Sequence, residues 1–266
     1  MTEESIDIGG ARLVYHRRAA LTRGPGEPVI LLHPWFGCWQ FWRQTVEALP
    51  ELETFSVDLY SLGTSDDWQR FAGPQGLAEA IGALLDALRI ERCSVVGNSM
   101  GGIAAQALAA TRGDQIAKLV LVGTGARIVG VKPEFRQALD EWIAGEEDPA
   151  FTERLVDALL ARRPAPEEFG RFVEMVVNAN KAFMGAVLNS AFALDLRPEL
   201  PKITAATLVI RGEHDVARTQ AHVDELLAGI PGCAALEIPD AGHSPQVDSP
   251  AAFSRALRGF LLKQES

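Results

Sequence analysis

Val95-Val96-Gly97-Asn98-Ser99-Met100-Gly101-Gly102 decides how this chain folds. The pattern is Gly-x-Ser-x-Gly. The apolar run from Cys93 to Val96 before it reads as a short strand, and Ile103 to Ala110 after it reads as a helix. A strand that turns abruptly into a helix needs residues without bulk where the two elements close on each other. Gly97 and Gly101 meet that need. Ser99, at the tip, is expected in a strained conformation with its hydroxyl at the carboxyl end of the strand. The first helical turn leaves backbone N–H groups unpaired beside it, and the helix dipole adds partial positive charge. A hydroxyl nucleophile next to such donors suits acyl transfer. The chain holds 24 glycines, enough for the bare pattern to arise by chance. The weight therefore rests on its strand–helix context and on partners further along.

Outward from the elbow, strands alternate with helices. Ser5–Ile8 and Arg12–Tyr15 flank Gly9-Gly10 as a hairpin, and Arg23–Pro28 is a turn-rich connector. Val29–Leu32 is continuously apolar, as in a parallel strand buried on both faces. Phe41–Leu49 has helical spacing, Thr54–Leu59 is a strand leading into a loop, Gln75–Leu88 is a helix and Lys118–Val122 a further strand. No strand is evident from about Arg127 to Leu200. Pro133–Ala144, Pro149–Arg162, Pro166–Asn180 and Ala182–Asp195 read as helices, three of them opening at proline. Alternation resumes with strand Thr207–Ile210, helix Thr219–Ala228, strand Ala234–Ile238 and helix Ala251–Leu262. The predicted fold is α/β: a doubly wound, mostly parallel sheet. Its core comprises 1–126 and 201–266, with an all-helical cap inserted over 127–200.

The two late strands end in loops carrying the residue types Ser99 needs. These are Arg211-Gly212-Glu213-His214-Asp215 and Asp240-Ala241-Gly242-His243-Ser244. In a parallel sheet the carboxyl ends of the strands share one edge. Ser99, Asp215 and His243 are therefore expected to converge, in the chain order this topology favours. His243 would act as general base and acid, and Asp215 would fix the imidazole tautomer. Glu213 and Asp240 are the rival acids.

Composition narrows the classes. The chain has 266 residues, 47% hydrophobic and 23% charged, with net charge −10. The acidic balance and the lack of a long basic run argue against nucleic acid and anionic membranes. Cys38, Cys93 and Cys233 are far apart and odd in number, which suits free thiols in a reducing compartment. The opening Met1-Thr2-Glu3-Glu4-Ser5 lacks the pattern of a signal peptide, and no apolar run reaches the roughly 18 residues of a membrane span. A cytoplasmic location is expected. No metal or cofactor motif is present. The sequence leaves the oligomeric state open, a homodimer included.

These features together resemble the α/β-hydrolase fold superfamily over essentially the whole chain. The resemblance is carried by the elbow Gly97–Gly101, the loops Gly212–Asp215 and Gly242-His243, and the helices inserted after Val122. It implies a cofactor-independent serine hydrolase with Ser99, Asp215 and His243 as catalytic triad. The substrate would be a small to medium hydrophobic ester or lactone. The elbow is also similar to those of carbon–carbon hydrolases acting on meta-cleavage diketones, the alternative chemistry. A non-hydrolytic use of the fold, as ligand receptor, lyase or cofactor-free oxygenase, is the alternative class. The superfamily usually has His-Gly where this chain has His33-Pro34. Proline has no N–H, so the oxyanion donors implied are Trp35, or less favourably Phe36, and Met100. Ser244-Pro245-Gln246 replaces the tryptophan that carbon–carbon hydrolases carry after the histidine, and Tyr60-Ser61-Leu62-Gly63 also departs from the usual loop.

Five histidines compete for the base role. His16 and His222 read as surface residues, His33 as structural beneath the oxyanion loop, and His214 as pointing away. Trp35 and Phe36 are expected to line the substrate pocket, while Trp39, Phe41 and Trp42 read as core. Phe135, Trp142, Phe183, Met184 and Phe192 of the cap suit substrate contact and helix packing equally.

Overall fold

A computed structural model of the chain describes residues 1–21, 26–145 and 149–263. Residues 23–25 of the predicted connector and the acidic cluster Glu146-Glu147-Asp148 lie outside them. Strands β1 (Thr2–Asp7) and β2 (Arg12–Arg18) pair antiparallel across Gly9 and Gly10, whose φ values are 73° and 92°. Asp7 Oδ1 accepts both glycine N–H groups, so the predicted hairpin is present with longer strands. Six more strands follow: β3 (Val29–Leu32), β4 (Thr54–Asp58), β5 (Cys93–Asn98), β6 (Ile116–Val122), β7 (Ala206–Gly212) and β8 (Ala234–Ile238). One sheet of 8 strands results, in the order β1-β2-β4-β3-β5-β6-β7-β8, parallel from β4 to β8.

All four residues of β3 are buried, which explains its unbroken apolar run. Ile30 and Leu32 face helices α2 (Pro74–Ala87) and α3 (Met100–Thr111). Val29 and Leu31 face α1 (Arg43–Ala48) and α10 (Pro250–Leu261) on the other side. Burying each such side chain contributes roughly 1.5–3 kcal/mol, so a polar residue in either register costs stability. Helix α2 opens at Pro74, where the missing N–H costs nothing, and buries the stripe Leu77, Ile81, Leu84 and Leu85.

The order of the strands places the site. From β3 the chain moves outward to β4, then returns past β3 to β5. At such a reversal a crevice opens outside the carboxyl ends of the two central strands. The segment from His33 to Gly37 leaves β3 there, and Ser99 leaves β5 there.

Between β6 and β7 lie α4 (Pro133–Ile143), α5 (Pro149–Asp157), α6 (Pro166–Asn178) and α7 (Lys181–Ala193). Among the described residues, the β contact in this insertion is an isolated bridge, Arg127 to Asp195. Helix α5 stops at Asp157 and not at Arg162. Its end tightens to bonds from Leu159 and Leu160 N–H back to Val156 and Asp157, and the next N–H groups turn to the carboxylate of Asp248. The segment Leu59–Thr64, predicted as the end of a strand at Leu59 and a loop from Tyr60, is a 3-10 helix begun by Asp58, whose side chain accepts from Tyr60 N–H. Helices α8 (Gln220–Gly229) and α9 (Pro245–Asp248) complete the chain, the latter not anticipated from the sequence. No helix among the described residues is long and apolar enough to cross a membrane.

Candidate functional site

Ser99 has φ 52° and ψ −112°, a conformation that residues other than glycine rarely adopt and that costs on the order of 1–3 kcal/mol. Three hydrogen bonds hold it. Ser99 N–H donates to Val122 O at 2.9 Å, and Ser99 O accepts from Ile103 N–H at 3.0 Å and Thr124 Oγ1 at 2.8 Å. A Cβ at Gly97 would collide with the Gly101 carbonyl, and one at Gly101 with that of Leu32. Both glycines are therefore needed for strand and helix to close, and the serine is pushed out at the tip.

His243 and Asp215 meet beside it. His243 Nδ1 donates to Asp215 Oδ2 at 2.9 Å. The other oxygen, Oδ1, accepts the N–H groups of Ala217 and Arg218, each at 2.9 Å. Both side chains are buried. Burial alone would raise the Asp215 pKa. The hydrogen bond and charge of His243 and the two backbone donors outweigh it, and the pKa lies below the ordinary carboxylate value. The carboxylate thus adds stability above its unfolded pKa of about 3.9, and this is lost as pH falls through the lower folded value. With Nδ1 committed as donor, His243 Nε2 carries the lone pair. Glu213 and Asp240 are exposed and bond each other's loop, Asp240 N–H to Glu213 Oε2 at 3.1 Å.

Two residues that sequence reasoning did not single out align these loops. Gly123 has φ 50°, and a Cβ there would lie 2.7 Å from His243 O and 3.2 Å from Asp215 Oδ2. Gly123→Ala is expected to cost at least about 1–2 kcal/mol from backbone strain alone, read as a fall of several degrees in the melting midpoint. Asn98 is fully buried beneath the histidine loop. Its Nδ2 donates to Val122 O and His243 O, both at 3.0 Å. Its Oδ1 accepts from Ser244 Oγ at 3.0 Å and Gln246 Nε2 at 2.8 Å. Ser244 and Gln246, where carbon–carbon hydrolases carry a tryptophan, thus serve to fasten the loop. Asn98→Ala strands these buried groups, and a loss of roughly 2–4 kcal/mol is expected in denaturant titration.

Ser99 and His243 line one cavity of about 670 Å³ with Trp35, Phe36 and Met100. Among the described residues, the Ser99 hydroxyl makes no hydrogen bond to His243. Contacts of this kind commonly tighten only around bound substrate. The backbone N–H groups of Trp35 and Met100 have no acceptor among the described residues. The insertion contributes Ile128, Phe135, Leu139, Leu155, Leu188 and Phe192 to the same wall. Trp35 Nε1 donates to Met184 O at 3.0 Å and ties the loop after β3 to α7.

Residues 29–256 match the family model described as Alpha/beta hydrolase family. The chain belongs to that family. This alpha/beta hydrolase is 26% identical over 253 residues to a pimeloyl-[acyl-carrier protein] methyl ester esterase from Vibrio vulnificus (strain YJ016), covering 91% of this chain and 97% of the relative. Among solved structures, it resembles the enol-lactonase from Burkholderia xenovorans LB400 with a TM-score of 0.85 and 26% identity, over 98% of this chain and 100% of that one. Est816, described as an N-acyl homoserine lactone degrading enzyme, matches with a TM-score of 0.81 and 26% identity, covering 97% and 100%.

The remaining histidines of this hydrolase depart partly from expectation. His33 is structural: Leu59 N–H donates to its Nε2 at 3.1 Å, and its Nδ1 lies 2.8 Å from Pro34 O. His214 is exposed, and with Glu213 and Asp240 it forms an open cluster outside the cavity lining. His16 is not a surface residue. It is buried because the Trp39 ring stacks on it at 3.6 Å. His222 is not a surface residue either. Half-buried at the start of α8, it turns Nδ1 back to the Thr219 N–H and lines the cavity. Phe41 and Trp42 are core, as expected, and Trp39 is partly buried. Of the aromatic candidates in the insertion, Phe135 and Phe192 line the cavity. Trp142 and Phe183 are packed into the core, as is Met184.

Proposed function

We propose that the chain is a serine hydrolase that cleaves a small to medium hydrophobic ester or lactone through an acyl-enzyme on Ser99. The observation that carries this reading is the buried His243–Asp215 pair, whose histidine lines one cavity with a strained Ser99. Ser99 Oγ attacks the carbonyl carbon as His243 Nε2 takes its proton. The carbonyl oxygen becomes an oxyanion received by the N–H groups of Trp35 and Met100. Collapse of the intermediate breaks the carbon–oxygen bond, and His243 returns the proton to the leaving alkoxide. Water, deprotonated by His243, then attacks the acyl carbon, and Ser99 leaves with that proton. Asp215 holds the imidazole and stabilises its charged form.

An apolar substrate is favoured by the lining and by the exposed Val129, Phe135 and Val216 at the same cavity. The insertion then serves as its cap. The esterase and lactonase relatives support ester or lactone chemistry over cleavage of a carbon–carbon bond. The test is a fluorophosphonate label with a chromogenic short-chain ester. Covalent labelling of the wild type, absent from Ser99→Ala, is the expected result. A wild type that neither labels nor turns over any ester, lactone or diketone in a panel would overturn the reading.

A further inference from the structure

Every charged side chain among the described residues lining the cavity is a cation, Lys132 or Arg218, in a protein of net charge −10. Lys132 is exposed at the margin. Arg218 is not: only 9% of it is accessible. Its guanidinium makes one hydrogen bond, Nη1 to Ala217 O at 2.9 Å, and Nε is buried without a partner. No carboxylate among the described residues lies within ion-pair distance. Asp215 acts on Arg218 through its charge, but its oxygens are taken by His243 Nδ1 and by the backbone N–H groups of Ala217 and Arg218. Burying a cation whose guanidinium bonds no carboxylate is costly, which makes such an arginine in a cavity wall an unusual choice for structure alone.

His222 also lines the cavity. His222 Nδ1 accepts the Thr219 N–H at 3.2 Å, so in the neutral ring the proton sits on Nε2. That Nε2 is buried and has no partner. Burial first, and then the nearby Arg218 charge, favour the neutral ring, although Glu225 and Asp215 oppose them. The Arg218 guanidinium thus lines the cavity with an Nη2 that is neither hydrogen-bonded nor fully enclosed, whereas Arg218 Nε and His222 Nε2 are enclosed. A carboxylate offers acceptors alone, and a guanidinium matches its geometry.

We propose that Arg218 binds a carboxylate of the substrate remote from the bond that is cut, so that the preferred ester or lactone is anionic at one end and apolar between. Which bond is cut rests on the serine-hydrolase reading; the anion site does not.

The test compares the 4-nitrophenyl half-ester of adipic acid with 4-nitrophenyl hexanoate, which differ by the terminal carboxylate. The wild type is expected to favour the half-ester in kcat/KM, chiefly through KM. In Arg218→Gln the ratio of the two kcat/KM values should fall roughly 10- to 100-fold, and in Arg218→Lys by less. The ratio cancels any general loss of activity, and Arg218→Lys replaces Arg218→Gln if the latter fails to fold. Calorimetry of hexanoate against hexanamide gives a readout independent of turnover. Arg218-dependent preference for hexanoate in a protein that turns over no ester would keep the anion site and overturn the hydrolytic reading. Equal binding of the two, or a ratio unmoved by Arg218→Gln in the folded protein, would overturn the anion site while leaving hydrolysis standing.

Discussion

Ser99→Ala is expected to lower ester turnover by roughly four to six orders of magnitude. The substitution removes the attacking oxygen and little else. The Ser99 hydroxyl makes no hydrogen bond among the described residues, and the bonds holding the elbow use its backbone atoms. The melting midpoint should therefore stay close to that of the wild type. Residual activity above the uncatalysed rate is expected, because the Trp35 and Met100 donors remain and act on a carbonyl attacked by water. Steady-state kinetics with a chromogenic ester, on protein checked by mass spectrometry, measures the effect. Near-normal kcat in that variant would remove Ser99 from the chemistry.

Asp215→Asn should lower kcat by roughly three to four orders of magnitude while leaving the fold in place. The side-chain oxygen of asparagine can still accept from Ala217 and Arg218 N–H. Its amide nitrogen then faces His243 Nδ1 where Oδ2 stood, and two donors confront each other. The imidazole relieves this by moving its proton to Nε2, which destroys the base that Ser99 requires. Asp240→Asn is the control, since Asp240 is exposed and its N–H bonds Glu213, away from His243. Equal losses in the two variants would mean that Asp215 acts through general stability and not through His243.

The parts of this fold written in local pattern were legible in the sequence. β3 shows its two-sided burial as four apolar residues in a row, and the elbow shows its close approach as two glycines around a serine. The meeting of Asp215 and His243 was legible because their loops follow strands whose ends share an edge, and His243 stood apart from His214 by following the last strand. Illegible were contacts whose partners lie far along the chain. Asn98 bonds His243, Ser244 and Gln246 across separations of 145 to 148 residues, and no spacing rule encodes that. His16 occupies a position that period-two alternation leaves outside, and it is buried by Trp39 from another element. His222 looked like one more polar residue on a surface helix. Its partner at Thr219 is local and could have been found as a capping pattern, but the cavity it lines is built from distant segments.

Asp248 constrains any attempt to re-engineer this enzyme by exchanging its insertion. One carboxylate accepts from Gly242 N–H at 2.8 Å, next to His243, and from Ala161 N–H at 3.0 Å, just beyond α5. A foreign lid grafted between β6 and β7 would arrive without the Ala161 donor and leave a buried anion pulling on the residue before His243. Chimeras therefore need the short stretch after α5 carried over unchanged, or Asp248 exchanged together with the graft, if the imidazole is to keep its aim.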